Sequence, residues 1–324
     1  MKESSGSALK EIVREESPLR RTWRRLAGQR FAMVSLTVCA LFLLAAVYAE
    51  IYAAVCDAKG IVPVYERIAP EDRNLPPSGK YWMGTDYLGR SVMARAFFGT
   101  RTAVKVGLIA SLISAAVGVG LGVWAGFRGG RTDDFAVWIY STFASMPSLL
   151  FILAFSLLVS KGFLFPPLEK AFAALAAALR TEPGMLSVYL GIGLTGWVEL
   201  CRVVRAETMK LREMQFVQAA RTLGAGDGRI ILRHILPNVS HFIIVYFTIR
   251  FAYAVMTEVI VSYLGFGAQH EPSWGVMISQ GQSQLWRGIW WEVGAATLFM
   301  FILVLALNLL GDALRDATDP KMKT

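Results

Sequence analysis

Side chains that could perform catalysis are few in this sequence, and none stands at a spacing that catalysis requires. His234, His241 and His270 occur without an H-E-x-x-H pattern and without a cysteine at metal-ligand spacing. Gly129-Gly130-Arg131-Thr132 lacks both the spacing and the lysine of a loop that cradles ATP phosphates. No nucleophile elbow supports serine hydrolase chemistry. We therefore predict that the chain is not an enzyme and that it binds no metal or cofactor by itself.

The composition is typical of a membrane protein. The chain has 324 residues, of which 55% are hydrophobic and only 18% are charged, whereas soluble domains carry about 25% charged residues. The formal net charge of +9 could indicate nucleic-acid binding, but in a membrane protein it is typical of basic cytoplasmic loops. Cys39, Cys56 and Cys201 have no repeating spacing, so we predict neither a disulfide framework nor a zinc site. The predicted surroundings are a lipid bilayer, and nucleic acid is not a predicted partner.

Six stretches are apolar and approach or exceed the length of about 20 residues that crosses a bilayer. They are residues 31–49, 106–127, 135–160, 184–198, 242–267 and 293–310. The sequence therefore predicts an all-α polytopic membrane protein with six transmembrane helices. Its predicted parts are a cytoplasmic N-terminal segment 1–30, a first transmembrane helix 31–55, an outer loop 56–100, and a five-helix core 101–320 with a cytoplasmic loop at about 205–238.

The distribution of basic residues predicts the orientation in the membrane. Lys and Arg are more numerous in the segments on the N-terminal side of the membrane than in the segments opposite, and cytoplasmic loops carry this excess. Trp286, Trp290 and Trp291 precede the last span, where an outer aromatic belt is expected. Both termini are therefore predicted to be cytoplasmic. The long basic leader favours an uncleaved first span over a secretory signal.

Small residues recur at every fourth position of the second span, at Ala110, Ser114, Gly118, Gly122 and Gly126. Such a ridge allows another helix to approach closely. The ridge fits a contact between two subunits or a moving interface. It also fits ordinary packing within one bundle, which is the simpler account.

Two further features concern the third span and the outer connection that follows it. Pro147 predicts a kink in the third span, which neighbouring helices can accommodate. Residues 172–179 are rich in Ala and Leu but too few to cross the bilayer, and they predict an interfacial helix.

The densest pattern lies between the fourth and fifth spans. Phe216, Ala219, Ala220 and Leu223 stand at i, i+3, i+4 and i+7, which gives a short helix one apolar face. Gly224 follows at once and predicts a helix end in the left-handed conformation. A compact helix of this kind fits a knob that docks into another protein, and it fits equally a loop helix that packs on its own bundle.

A second short helix is predicted after this glycine. Asp227 can cap its N-terminus, Arg233 and His234 suit its C-terminal turn, and Pro237 would stop it. The sequence therefore predicts two short helices that are separated by a break at Gly224, with the second helix ending at Pro237.

Gln218-Ala219-Ala220-x-x-x-Gly224, followed after nine residues by His234-Ile235-Leu236-Pro237, resembles the EAA motif of ABC importer permeases. The resemblance is closest to the dipeptide, oligopeptide and nickel group. Three other passages are similar to segments of that group and occur in the same order. They are Gly84-Thr85-Asp86-Tyr87-Leu88-Gly89-Arg90, then Ser262-Tyr263-Leu264-Gly265-Phe266-Gly267 with Pro272-Ser273-Trp274-Gly275, and the C-terminal passage 308–320. The last two favour the second of the two permease subunits.

The resemblance implies the type I ABC importer permease fold in the cell (inner) membrane. It implies four kinds of partner: a paralogous second permease, two ATP-binding subunits, an extracytoplasmic solute-binding protein and the lipid bilayer. It also implies that the cytoplasmic loop couples the chain to the ATPases, through Phe216, Gln218, Ala219, Ala220, Leu223, Gly224 and Asp227. The sequence departs from the group at Gln218, where the motif carries glutamate, and in the outer connection 161–183, which is longer than usual.

Two charged residues interrupt the fifth span and are candidates for the translocation pathway. Glu258 stands where the group often carries glutamate, and a charge inside a span is costly and by default functional. Arg250 precedes it by eight residues, which is roughly 12 Å along a helix and about 80° around it. This separation argues against direct pairing. For both residues, a buried structural bond to a neighbouring helix is the alternative to substrate contact.

The resemblance indicates peptide import as the function, with nickel, opines, glutathione or sugars as alternative cargoes of related permeases. A secondary transporter is the rival class. That class predicts inverted repeats or a chain of ionisable groups within the membrane, and the sequence contains neither.

Overall fold

The computed structural model describes residues 18–163, 165–267 and 271–318. Residues 1–17 of the predicted N-terminal segment, His270, and residues 319–320 of the C-terminal passage lie outside the described residues. The described chain consists mainly of helices, and the long connection 60–91 contains two 3-10 turns, Val64–Glu66 and Pro70–Asp72. The α-helices are α1 Pro18–Ala27, α2 Arg30–Lys59, α3 Val92–Arg128, α4 Gly130–Ser145, α5 Ser148–Ser160, α6 Pro166–Ala178, α7 Pro183–Gly196, α8 Val198–Arg212, α9 Gln215–Thr222, α10 Asp227–Ile230, α11 Leu236–Tyr263, α12 Trp274–Gln282 and α13 Trp291–Thr318.

Five helical stretches of the described chain are long and apolar enough to cross a membrane. They are Arg30–Lys59, Val92–Arg128, Pro183–Arg212, Asp227–Tyr263 and Trp291–Thr318. A further pair, α4 and α5, passes the same test together but is bent by 88°. The structure therefore confirms an all-α polytopic membrane fold, with five continuous spans and a bent pair in place of the predicted third span.

Pro147 breaks the third span instead of kinking it. Met146 and Pro147 both leave the helical conformation, with ψ angles of 133° and 109°. The residue before a proline is disfavoured in the α conformation, and the proline itself has no N–H to continue the helix. α4 therefore ends at Ser145, and α5 begins at Ser148 in a new direction.

The prediction that Pro237 stops a helix is wrong, because the helix continues through this residue into α11. A π-helical segment, Ile231–Ile235, precedes it, and the Leu236 N–H bonds to the carbonyl of Ile231, five residues earlier. Local π geometry shifts the hydrogen-bond register of a helix, so the missing N–H of the proline is accommodated. Arg233 and His234 consequently lie within this segment and do not form a C-terminal turn.

α3 is the centre of the bundle, and α2, α7, α8, α11 and α13 pack around it. Its ridge of small residues lies against the backbone of the fourth span in the same chain. A Cβ atom on Gly118 would stand 2.8 Å from the carbonyl oxygen of Trp197, and one on Gly122 would stand 2.8 Å from that of Cys201. The ridge therefore packs within one bundle, which confirms the simpler of the two accounts.

The outer connection contains α6, which begins at Pro166 and includes most of the helix predicted at 172–179. Ala176 is buried, and Phe172 packs against the main hydrophobic core. The helix therefore lies against the bundle, and its position at the membrane interface stays a prediction.

The glycine-containing passage 84–90 folds around the buried carboxylate of Asp86. Asp86 Oδ2 accepts hydrogen bonds from Arg90 Nε at 2.6 Å and from Arg95 Nη1 at 3.1 Å. Arg95 Nη1 also stands 3.0 Å from Glu292 Oε1. Breaking a buried ion pair by removing one partner costs about 3–5 kcal/mol, because the other charge stays buried. This cluster therefore holds the passage, α3 and the start of α13 together.

Candidate coupling surface

α9 packs on the bundle through Val217, which is fully buried. Val217 packs in a cluster with Ile230 and Ile235, and the cluster includes residues of α3 and α8. The sequence pattern does not single out Val217. A signal for it exists in the pair Val217 and Ala220, which stand at i and i+3 and therefore share one side of the helix.

Most of the predicted apolar face of α9 is exposed, whereas Ala220 packs against the buried cluster. Phe216 is 42% exposed and Leu223 is 88% exposed, Ala219 is exposed, and Ala220 is half-buried. Within the described part of the chain, Ala219 and Leu223 are open, and Phe216 is partly covered by His234. An exposed apolar patch of this kind is typical of an interaction site. The structure therefore favours the docking knob over a helix that packs this face on its own bundle. We call Phe216, Ala219 and Leu223 the coupling surface.

Gly224 ends α9 in the left-handed conformation, with a φ of +82°, which confirms the prediction. The Gly224 N–H donates to Arg221 O at 2.9 Å, and the Ala225 N–H donates to Ala220 O at 3.0 Å. These two bonds form the Schellman motif, in which the left-handed position is usually glycine because a Cβ is penalised there. The glycine therefore sets the direction in which the chain leaves α9.

The prediction that Asp227 caps the second helix is wrong. Gly226 is the N-cap residue, and Asp227 is the first helical residue, without a side-chain hydrogen bond to the cap. Its carboxylate lies in the first turn, where the helix dipole favours a negative charge. The negative charge of Asp227 therefore interacts favourably with the helix dipole, but its side chain does not cap the helix as predicted.

Gln218 makes a bond that the glutamate of the motif could not make. Its Nε2 donates to Arg212 O at 3.1 Å. Arg212 is the last residue of α8, and carbonyls in the last turn of a helix have no partner within that helix. An ionised glutamate only accepts hydrogen bonds. Gln218 therefore ties α9 to the end of α8 with a neutral hydrogen bond.

Glu258, the first candidate for the translocation pathway, is buried within the chain. Its Oε1 accepts hydrogen bonds from Ser262 Oγ at 2.6 Å and from Ser273 Oγ at 2.7 Å. Ser273 is the N-cap residue of α12, so these bonds fasten that helix to α11. The geometry favours the structural alternative, and contact with substrate stays a prediction.

Arg250, the second candidate, bonds to the fourth span. Its Nε and Nη2 donate to Gly196 O at 2.9 and 2.5 Å, at the end of α7. Its Nη1 also stands 4.0 Å from Glu199 Oε2. Arg250 therefore makes a structural bond to a neighbouring helix, as the alternative had it. Glu199, which directly follows the apolar stretch 184–198, is a neighbour that the sequence did not reveal.

Two protein-family models match this chain. The family model of binding-protein-dependent transport system inner membrane components matches residues 118–324, a range that includes the coupling surface. The chain belongs to this family. A second model, the N-terminal transmembrane domain of oligopeptide transport permease C, matches residues 17–77, which agrees with the second-permease type.

Relatives of this permease match along most of its length. The dipeptide transport system permease protein of Bacillus subtilis (strain 168) is 32% identical over 302 residues, covering 93% of this chain and 85% of the relative. The oligopeptide transport system permease protein of the same organism is 31% identical over 309 residues, covering 92% and 88%. The glutathione transport system permease protein of Escherichia coli (strain UTI89 / UPEC) is 32% identical over 308 residues, covering 95% and 92%.

The general role of the chain follows from its membership of this family. It is an inner membrane permease subunit of an ABC importer that depends on a binding protein. The resemblance seen in the EAA-like loop and the three other passages is thereby confirmed.

Proposed function

We propose that this permease imports peptides together with a paralogous second permease, two ATP-binding subunits and an extracytoplasmic solute-binding protein. Both termini are cytoplasmic in this proposal. Relatives named as dipeptide and oligopeptide permeases support the cargo. Glutathione is the second candidate because a relative of similar identity is named for it. The chain itself performs no bond chemistry, and ATP hydrolysis belongs to the partner subunits.

The observation that carries the proposed coupling to ATP-binding subunits is the exposed apolar face of α9. Phe216 and Leu223 expose apolar surface on the helix that also carries the EAA-like residues. Burial of apolar surface stabilises a contact by roughly 25 cal/mol per Å². An apolar groove on an ATP-binding subunit is thus the partner that this face fits, and small Ala219 allows the two backbones to approach.

The packing beneath α9 supports transmission of motion from the ATPases to the spans. Val217 joins α9 to Ile230 and Ile235, and this cluster extends to α3 and α8. The ring of Phe216 also lies 6.0 Å from the ring of His234 in the π-helical segment before α11. Closure of the ATPases would therefore pull on three spans at once, which switches the pathway from inward-facing to outward-facing.

A reconstituted importer tests the cargo. The chain, its second permease, its two ATPases and its binding protein are placed in liposomes with ATP inside, and uptake of labelled dipeptide, oligopeptide and glutathione is measured. We expect uptake of dipeptide or oligopeptide, with ATP hydrolysis that requires the ATPase subunits. Uptake of glutathione alone would assign the second candidate. Uptake of none of the three by an importer with active ATPases would contradict the proposal.

Cysteine labelling tests the orientation. In a cysteine-free background, Ala225→Cys is expected to resist a membrane-impermeant maleimide added outside whole cells and to react after the cells are opened. Trp286→Cys is the matched control, because Trp286 is 96% exposed and is predicted to lie outside. Strong external labelling at position 225 would place α9 on the wrong side of the membrane for ATPase contact.

A further inference from the structure

Glu199 is an exposed carboxylate that directly follows the apolar stretch 184–198 of the fourth span. Its side chain is 66% exposed, and it lies 16 residues after Pro183 at the start of the fourth span, or roughly 24 Å along the helix. The hydrocarbon layer is about 30 Å thick. Glu199 therefore lies near the inner end of the span, where an acidic side chain faces the bundle interior, a water-filled cavity or the aqueous interface. This face of α8 therefore borders a polar space.

A cavity of about 490 Å³ opens beside Glu199. It lies between α8, α11 and the last turn of α13, and we call it the inner cavity. Small-molecule sites usually measure about 300–1,000 Å³ and combine an apolar wall with a few polar groups. The residues that characterise the inner cavity are Glu199, Phe242, Val245, Tyr246, Ile249 and Arg315.

The ionisable side chains that line the inner cavity lie on three helices and include His241 on α11, and Glu199 Oε2 also stands 4.0 Å from Arg250 Nη1. Glu199 stands on α8 and Arg315 on α13, and both side chains are exposed. Between them, α11 supplies the apolar wall and the half-buried Tyr246. An inorganic anion would be repelled by the carboxylate, and a simple cation would be repelled by the guanidinium. A zwitterion with an apolar body, such as a short peptide, complements the whole cavity.

An exposed apolar stripe on α11 leads from the predicted outer side of the membrane to the inner cavity. Its members recur at alternating intervals of three and four residues, so they share one face of the helix. They are Ile249, Tyr253, Met256, Ile260 and Tyr263. Methionine and tyrosine surfaces adapt to varied side chains. Ile249 also lines the inner cavity, so the stripe and the cavity are continuous.

We propose that the inner cavity binds the transported peptide before its release to the cytoplasm. Glu199 binds the N-terminal ammonium, Arg315 binds the C-terminal carboxylate, and the wall formed by α11 contacts the peptide side chains. Arg250 stays on Gly196 O and holds the fourth and fifth spans together beside the site. This inference rests on the peptide cargo proposed above.

Photochemical capture in the complete importer tests the site. A benzoylphenylalanine replaces Phe242, which lines the inner cavity, and in the matched control it replaces Phe301, which is 57% exposed on α13 and outside the cavity lining. A tritiated dipeptide is added to the ATPase side of nucleotide-free importer in nanodiscs that contain phosphatidylethanolamine. We expect at least about tenfold more capture at position 242, removed by excess unlabelled peptide.

Charge variants assign the two ends of the peptide. Glu199→Gln is expected to lower capture of the free dipeptide roughly tenfold, the equivalent of about 1.4 kcal/mol, and to leave capture of the N-acetylated dipeptide unchanged. Arg315→Gln is likewise expected to lower capture of the free dipeptide roughly tenfold and to leave capture of the C-terminally amidated dipeptide unchanged. Stimulation of ATP hydrolysis by the binding protein reports that each variant is assembled.

Three results would overturn the inference. The first is equal capture at positions 242 and 301, and the second is capture of phosphatidylethanolamine in place of peptide at position 242. The third is a charge variant that lowers capture of the free dipeptide and of the corresponding blocked dipeptide equally. Peptide uptake by the same importer separates this inference from the proposed function. Uptake without capture at position 242 overturns only the inner cavity, whereas absence of uptake contradicts the peptide cargo itself.

Discussion

Replacing Gly224 with valine is expected to abolish transport while leaving the permease in the membrane. Gly224 has a φ of +82°, where a β-branched residue is strongly disfavoured, and strain of this kind costs about 1–3 kcal/mol. A Cβ at this position would meet no atom within 4 Å, so the harm comes from the backbone and not from a clash. The chain would leave α9 in another direction, and the coupling surface would no longer fit the ATPase.

Matched variants isolate this effect. Gly224→Asn should retain transport, because asparagine tolerates the left-handed conformation. Gly60→Val carries the same local strain, since Gly60 ends α2 with a φ of +61° and also has open space around it, but it lies outside the cytoplasmic loop. The measurements are membrane expression, pull-down of the ATPase subunits and uptake. Normal ATPase binding and uptake by Gly224→Val would show that this loop is not the coupling element.

Gly122→Ala is expected to destabilise the permease far more than Gly120→Ala, although the two positions are two residues apart on α3. A Cβ on Gly122 would stand 2.8 Å from Cys201 O and 3.1 Å from Arg205 N. Both atoms belong to backbone, so α3 and α8 would have to separate. Overpacking of this kind costs about 1–3 kcal/mol. A Cβ on Gly120 meets nothing within 4 Å, and alanine favours the helix.

Thermal unfolding in detergent, followed by tryptophan fluorescence, measures the difference. The midpoint for Gly122→Ala should fall by several degrees, and that for Gly120→Ala should stay equal to or above the wild-type value. Equal unfolding midpoints for the two variants would contradict the close packing of α3 against α8 that the structure shows. Uptake provides a second measurement, because loosened packing between these spans weakens transmission from the coupling surface.

Two prolines show why local rules predict only part of this fold. The same expectation, that proline disturbs a helix, applies to Pro147 and Pro237. At Pro147 the chain leaves the helix and turns by 88°. At Pro237 it continues, because the π-helical segment before it changes the hydrogen-bond register and because Ile230 and Ile235 are held by the buried cluster. The surroundings, and not the residue, decide between the two outcomes.

The sequence by itself determined five of the six predicted membrane spans, the left-handed helix end and the family. Long apolar stretches can be satisfied only by spanning helices, since the bilayer core offers the backbone no hydrogen-bond partners. Gly224 was predictable because left-handed backbone is a local property of one residue. The EAA-like passage and the three others occur in a fixed order, which made the family recognisable.

The tertiary structure alone decided which side of each helix is covered. The pattern of α9 gave Phe216 and Leu223 the same apolar character as Val217, yet only Val217 is buried, because Ile230 and Ile235 reach its side of the helix. The bond from Arg250 to Gly196 O likewise joins residues 54 positions apart. Burial and pairing depend on neighbours that are distant in the chain, and a helical period cannot contain that information.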